Sequence, residues 1–293
     1  VNIVSSGDIN MIPGIIVMVE SALQNLKKKS KANIRIISFR WPEAYIKKVN
    51  QFISNKEKCN QVSIVRGGKL SFPVSSNFHG SKAPYLIFFA PEIAGCKKSI
   101  YLDPDTIVLT DLTVLNDLKL EGSPIGAVVQ SSVSAAWSKE RDTLVSMGIS
   151  VDAPYFNTGV VVFDNDEWKK TKIKERAFRL MRERDSFHTA DQTVMNAVVS
   201  DLVYRLPKKY NLRPGSLAHS PDNIDKHDGI YHFVGSPKPW DPLGKWLHPQ
   251  YDYFDHVLQT SGYTDQLMPR LSVARVKRFV SLARSYWKSL QKK

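Results

Sequence analysis

The chain has 293 residues, 42% of them hydrophobic and 10% aromatic, enough apolar material for a substantial core, which excludes a disordered chain. Its longest apolar runs, 15–19 and 86–90, are stopped by Glu20 and Pro91, well short of the roughly 18 to 20 residues that a bilayer crossing needs. The net charge of +13 is lopsided: residues 270–293 hold eight Lys/Arg and no acid, leaving 33 basic against 28 acidic side chains in the first 269 residues. The excess therefore points to a local binding surface on the tail rather than to a wholly basic domain.

In chain order, residues 1–5 form a β-branched run, with Gly7-Asp8 expected as a turn. Residues 12–26 have helical apolar spacing, with Pro13 early, where a helix tolerates it. Further strands are expected over 34–39 and 62–65, and an amphipathic helix over 42–53. Residues 82–93 are expected to be helical with an interruption near Pro91, and 99–103 form a short buried strand ending in acid. Beyond it, 125–129 and 159–163 predict strands, 167–184 and 190–199 helices, and 230–234 a final strand that closes the sheet. Strands alternating with helices predict an α/β fold with a doubly wound, mostly parallel sheet. Its ligands would bind at the carboxyl ends of the strands, where Asp8 and Asp103 both fall.

Two cysteines, Cys59 and Cys96, are too few for a disulfide framework and lack metal-ligand spacing. There is no Asn-x-Ser/Thr acceptor for glycosylation, so a reducing, cytoplasmic location is the simpler expectation. The sequence starts at Val1 without an initiator Met, which leaves room for a removed N-terminal anchor or leader.

Asp103 and Asp105 flank Pro104. In extended backbone, residues two apart share a face, so the two carboxylates are expected to converge, with Pro104 biasing Asp103 toward that geometry. Two hard oxygen ligands at a strand end suit Mn²⁺ or Mg²⁺, either of which bridges to nucleotide phosphates. Read alone, the same run is equally a turn with capping acids. It is also close to the nucleophile motif of a metal-dependent phosphatase of haloacid-dehalogenase type, with Asp103 attacking phosphorus. The acidic motif such a phosphatase needs downstream is absent.

Three more segments bear on the choice. Phe156-Asn157-Thr158-Gly159 is a polar turn feeding a strand, Ala190-Asp191-Gln192 opens a helix, and Tyr231-His232-Phe233-Val234-Gly235-Ser236-Pro237-Lys238-Pro239-Trp240 carries His, Gly, Lys and Trp in fixed spacing. With Tyr101-Leu102-Asp103-Pro104-Asp105, in this order, they resemble glycosyltransferase family 8 over roughly residues 1–246. That resemblance implies a GT-A fold and a retaining hexosyltransferase that uses a nucleotide diphosphate sugar, usually UDP-linked, and Mn²⁺. It implies Asp103, Asp105 and His232 as metal ligands, and Lys238 and Gly235 at the diphosphate. Asp8 would face the base and ribose, Asn157 and Asp191 the donor-sugar hydroxyls, and Gln192 the anomeric carbon. The acceptor would be a glycan or glycolipid, and a non-catalytic nucleotide-sugar-binding protein is the alternative without turnover. The family usually carries an Arg four residues before its Pro-Glu-Ile; here that position is Ile87, with Lys82 or Arg66 as substitutes.

Residues 1–262 are expected to be the catalytic domain and 263–293 a basic amphipathic segment. From Val276 the apolar residues recur at three- and four-residue intervals among Arg and Lys, with Tyr286 and Trp287 as interfacial residues. Such a helix suits the anionic, cytoplasmic face of a membrane, or else packs on the domain. Nucleic acid is not an expected partner, because no binding module accompanies the charge.

Overall fold

The chain opens as strand β1 (Asn2–Asp8), which runs straight through Gly7 instead of turning there. The computed structural model describes residues 1–27, 30–73, 81–184, 186–216, 224, 227–242, 244, 250–262, 273–283 and 287. A 3-10 turn (Ile9–Met11) leads into helix α1 (Ile12–Asn25), with Pro13 in its first turn, where the missing N–H has no helical partner to lose. Strand β2 (Ala32–Phe39), helix α2 (Glu43–Ser54) and strand β3 (Cys59–Arg66) follow, and β3, β2 and β1 lie side by side in parallel. The helix expected from Lys82 is a 3-10 segment (Ala83–Phe89) that passes into α3 (Ala90–Ala94). Pro91 starts α3 rather than interrupting a helix, and Gly95 ends it with a φ of 62°. Strand β4 (Lys98–Leu102) then pairs in parallel with the free side of β1.

Past β4 come strand β5 (Thr106–Val108), helix α4 (Thr113–Asp117), strand β6 (Ile125–Ser132), helix α5 (Ser138–Ser146) and strand β7 (Pro154–Asp164). β7 is antiparallel to both β4 and β6. The helical stretch expected over 167–184 is divided into α6 (Asn165–Lys170) and α7 (Ile173–Glu183), because Lys172 takes a left-handed φ of 53°. Helix α8 (Asp191–Val199) leads to strand β8 (Val203–Arg205), which adds to β6 in parallel. The sheet order is β3-β2-β1-β4-β7-β6-β8, and β7 is the only one of the seven strands that runs against the others. The expected mostly parallel, doubly wound sheet is therefore present.

The last strand, β9 (Ile230–His232), does not close this sheet. It pairs with β5 in a separate two-stranded ribbon, Thr106 opposite His232. Helix α9 (Tyr251–Thr260) and helix α10 (Val273–Ser281) complete the described elements, and the expected boundary at 262/263 falls against residues outside the description. No helix among the described residues is long and apolar enough to cross a membrane.

Strand periodicity divides the core between the two faces. Ile3, Ile34, Ile36, Ile100, Leu102, Val160 and Val162 pack under α1 and α2. Their neighbours Val4, Ile37, Tyr101, Val161 and Phe163 pack on the other face against the 3-10 segment, α7 and α8. Because both faces are covered, β4 and β7 carry apolar residues at consecutive positions. A third cluster, with Ile107, Phe233, Trp240 and Phe254, seats the β5–β9 ribbon on α9 and on Val17 of α1.

Candidate functional site

Asp103 and Asp105 do not lie in extended strand. β4 ends at Leu102 and β5 begins at Thr106, so Asp103-Pro104-Asp105 is the turn between them, for which the fixed φ of Pro104 is well suited. The turn is pinned on both sides. The Asp103 N–H donates to Gly159 O of β7 at 2.8 Å, the Phe233 N–H donates to Asp105 O at 2.8 Å, and the Thr106 hydroxyl donates to Asp103 O at 2.8 Å. From below, α1 approaches so closely that any side chain at Gly14 would collide with Pro104 O and the Trp240 ring.

The Thr106–His232 register of the ribbon sets His232 beside this turn. Its Nε2 lies 3.2 Å from Asp105 Oδ1 and 3.6 Å from Asp103 Oδ2. One donor atom from each of Asp103, Asp105 and His232 falls within 4.8 Å of the others, so residues more than a hundred positions apart converge. His232 and Asp105 are buried and Asp103 is half-buried. Gly159 makes room for the imidazole: a Cβ there would lie within 3.0 Å of its Cε1, Nδ1 and Nε2.

Part of the negative charge at the turn is offset within the chain. Lys238 forms an ion pair with Asp105 Oδ2 and donates to Phe233 O at 2.9 Å. Burial alone would push the Asp105 carboxyl up, but Lys238 and then His232 hold it well below the usual range. Burial, and next the Asp105 charge, push the Asp103 carboxyl up. Two carboxylates and an imidazole, with a cation already drawn to one of them, have the donor chemistry of a divalent-metal site that leaves positions open for phosphate. Gly235, three residues after His232, takes a φ of 99° and has open space where a side chain would stand, so backbone conformation is what calls for glycine here.

A second group lies along β7 and α8. Asn157 and Thr158 belong to β7 rather than to a turn before it. Asn157 Nδ2 donates to Gln192 Oε1 at 2.7 Å, and the Thr158 hydroxyl donates to Asp191 Oδ2 at 2.7 Å. Asp191 is the first residue of α8 and not its cap; the capping position is Ala190, with φ 54°. Burial, and then the Asp103 charge, push the Asp191 carboxyl up to about 8. Behind it, buried Glu140 of α5 accepts from the Thr189 and Thr193 hydroxyls at 2.9 Å each, and burial raises its carboxyl.

Asp8 stands at the carboxyl end of β1, where its Oδ1 accepts from the Asn10 N–H at 2.9 Å. It thus caps the 3-10 turn with one oxygen. Ile87 is fully buried in the apolar cluster with Val4, Tyr101 and Phe156. Arg66 pairs with Glu43 at the end of β3, separated from β4 by β2 and β1. Sequence reasoning quoted Thr158 and Gly159 within a motif without giving them a role, and it missed Tyr155, Glu140 and Asn211; the Asn-x-Gly spacing of β7 was a signal for Gly159, and Asn211 had none.

The model of "Glycosyl transferase family 8" matches residues 2–244. General stress protein A of Bacillus subtilis (strain 168) is 25% identical over 283 residues, covering 88% of this chain and 92% of its own length. Lipopolysaccharide 1,2-glucosyltransferase of Escherichia coli (strain K12) is 25% identical over 277 residues, covering 90% and 79%. Among solved structures, the galactosyltransferase LgtC in complex with donor and acceptor sugar analogues superposes with a TM-score of 0.69 at 18% identity, over 92% of this chain and 100% of that one. That likeness bears on the fold.

Proposed function

The chain belongs to glycosyltransferase family 8, and from that premise we propose a retaining hexosyltransferase that moves a hexose from a UDP-linked sugar to a hydroxyl of a glycan or glycolipid. The observation that carries this reading is the convergence of Asp103, Asp105 and His232 beside Lys238. In this reading those three hold Mn²⁺, with Mg²⁺ as the alternative. When bound, the ion supplies Lewis-acid neutralisation of the departing nucleoside diphosphate.

The chain's own groups do the rest. Lys238 brings a point charge to the diphosphate, and Gly235 leaves the backbone there unobstructed. Asp8 faces the base and ribose. Asn157 and Asp191 bind sugar hydroxyls, and Gln192, held by Asn157, lies at the anomeric carbon. Burial, and then the Asp103 charge, favour the protonated form of the Asp191 carboxyl, which can donate to a sugar oxygen as well as accept. Residues 1–262 carry this chemistry.

The basic segment 263–293 is read as a dock on the anionic cytoplasmic face of a membrane, which is where a glycolipid acceptor would be met. Two observations support this. Val276 and Val280, one turn apart on α10, are 52% and 67% exposed, and Trp287 is 65% exposed. Arg278 belongs to the other side of the helix, bound to Asp241 at 2.7 and 3.1 Å. Binding to phosphatidylglycerol vesicles, lost on deleting residues 270–293, is the expected result; equal binding by the truncated chain would refute it.

The function is tested by incubating the protein with Mn²⁺ and a panel of nucleotide sugars. Metal-dependent release of nucleoside diphosphate, and a product whose anomeric configuration matches the donor, are expected. Tight donor binding without release would mean a protein that has lost turnover, and phosphate release from phosphomonoesters would mean a phosphatase.

A further inference from the structure

The buried amides beside His232 form one directional chain, and a single backbone group sets its direction. The Gly159 N–H can only donate, and it donates to Asn157 Oδ1 at 3.0 Å. The Asn157 nitrogen must then point the other way, to Gln192 Oε1 at 2.7 Å, and the Gln192 nitrogen in turn donates to the Tyr155 hydroxyl. A second lone pair on Asn157 Oδ1 is filled by Asn211 Nδ2 at 2.9 Å. Turning the Asn211 amide over would press two acceptor oxygens together in a buried place, which proteins avoid. Asn211 Oδ1 therefore faces His232 Nδ1 across 3.2 Å, and a carbonyl oxygen there can only accept.

We infer that Asn211 is a positioning residue that keeps Nδ1 of His232 protonated and so commits Nε2 to the space between Asp103 and Asp105. The alternative, a ring protonated on Nε2 alone, would set a lone pair on Nδ1 against the Asn211 oxygen. No donor competes for Nδ1, because Asn157, Asn211 and His232 are all buried and the Asn211 nitrogen is already used; Asp105 Oδ1, 3.2 Å from Nε2, is an acceptor and takes a hydrogen bond from that nitrogen without displacing the proton on Nδ1. The same chain ties the imidazole to Gln192, so the candidate metal ligand and the group assigned to the anomeric carbon take their orientation from one N–H. A histidine that donates from one nitrogen while offering the other to a cation has its ring plane and tautomer fixed, and such partners govern metal affinity.

The purpose given to the ring rests on the metal reading above, but its protonation does not, and the test separates the two. Ring nitrogens of the full-length, metal-free protein are observed by long-range ¹⁵N–¹H correlation, with His232 identified by its loss in His232→Gln. A protonated Nδ1 is expected, and an unprotonated acceptor Nδ1 overturns the inference. Asn211→Leu, which keeps the volume and removes the acceptor, should lose that signature and weaken Mn²⁺ binding, read by electron paramagnetic resonance, by about 10- to 100-fold. Asn211→Asp, which keeps an acceptor oxygen, should retain the Nδ1 proton. Unchanged tautomer and affinity in a folded Asn211→Leu overturns the inference. Should that variant not fold, the wild-type and Asn211→Asp spectra decide. A protonated Nδ1 in a wild-type protein that binds no Mn²⁺ supports the tautomer and sinks the metal reading.

Discussion

Replacing Gly159 by alanine puts a methyl group where the imidazole of His232 now lies, within 3.0 Å of three ring atoms. The ring cannot easily give way. It is buried, bonded to Asn211 at 3.2 Å on one side and set against Asp105 at 3.2 Å on the other. Nor can β7 retreat, because Gly159 O accepts the Asp103 N–H and its N–H donates to Asn157. In an uncrowded strand, Gly→Ala would stabilise the fold by up to roughly 1 kcal/mol through the unfolded chain. Overpacking of this kind costs about 1–3 kcal/mol, so the balance is a net loss of up to about 2 kcal/mol. For a chain of this size that is a fall in Tm of only several degrees. The larger effect falls on the candidate metal site, since a displaced His232 loses its place between the carboxylates. Mn²⁺ affinity, measured by titration calorimetry, should drop by about 10- to 100-fold, as it does when a ligand's supporting contacts are disturbed. A folded Gly159→Ala with wild-type affinity for Mn²⁺ would refute the reasoning that Gly159 exists to seat the imidazole.

Asp105→Asn strands the Lys238 ammonium beside a neutral amide; both side chains are mostly buried, so urea unfolding should show a loss of about 3 kcal/mol, as for a broken buried pair. Asp191, raised to about 8 by burial and then by the Asp103 charge, binds its proton more tightly in the folded than in the unfolded chain. Its contribution to stability is therefore complete below its unfolded value near 3.8 and is lost as pH rises toward 8. In chelator, Asp191→Asn should flatten the decline in Tm over that window; an identical decline would contradict the raised carboxyl. Arg278→Ala cuts the ion pair that holds α10 to Asp241, a residue whose Oδ2 also accepts the Lys238 N–H at 2.7 Å. Limited proteolysis should then cut faster near residues 273–281, without loss of vesicle binding.

The parallel half of the sheet was legible in outline because Ile3-Val4, Ile36-Ile37 and Ile100-Tyr101-Leu102 mark its strands and α1 has unbroken helical spacing, although the Gly7-Asp8 signal ended β1 too early. Pattern failed where partner and path matter. The run 230–232 reads as a strand from its residues, but nothing local says that it pairs with β5 instead of joining the main sheet. Asn157 and Thr158 looked like a turn because they are polar. They continue β7 because their side chains find partners in α8, which a window of β7 alone does not contain. The break at Lys172 depends on a left-handed residue that no glycine announces. At the site, Asp103, Asp105, His232 and Lys238 were found through their ordered motifs, and the fold brings them together. The extended geometry expected for the Asp pair was replaced by a turn with the same convergence. Asn211 stayed hidden, since a single Asn between a Tyr and a Leu carries no pattern; only the route of its hydrogen bonds shows what it does.

If Asp103, with Asp105 and His232, holds the ion on which donor binding and transfer depend, removing the Asp103 carboxylate must abolish both. Calorimetric titration of Asp103→Ala with Mn²⁺ and UDP-hexose, alongside nucleoside diphosphate release, tests it most directly. The folded variant is expected to lose metal-assisted donor binding and release together. Metal-dependent release at the wild-type rate from Asp103→Ala would contradict it.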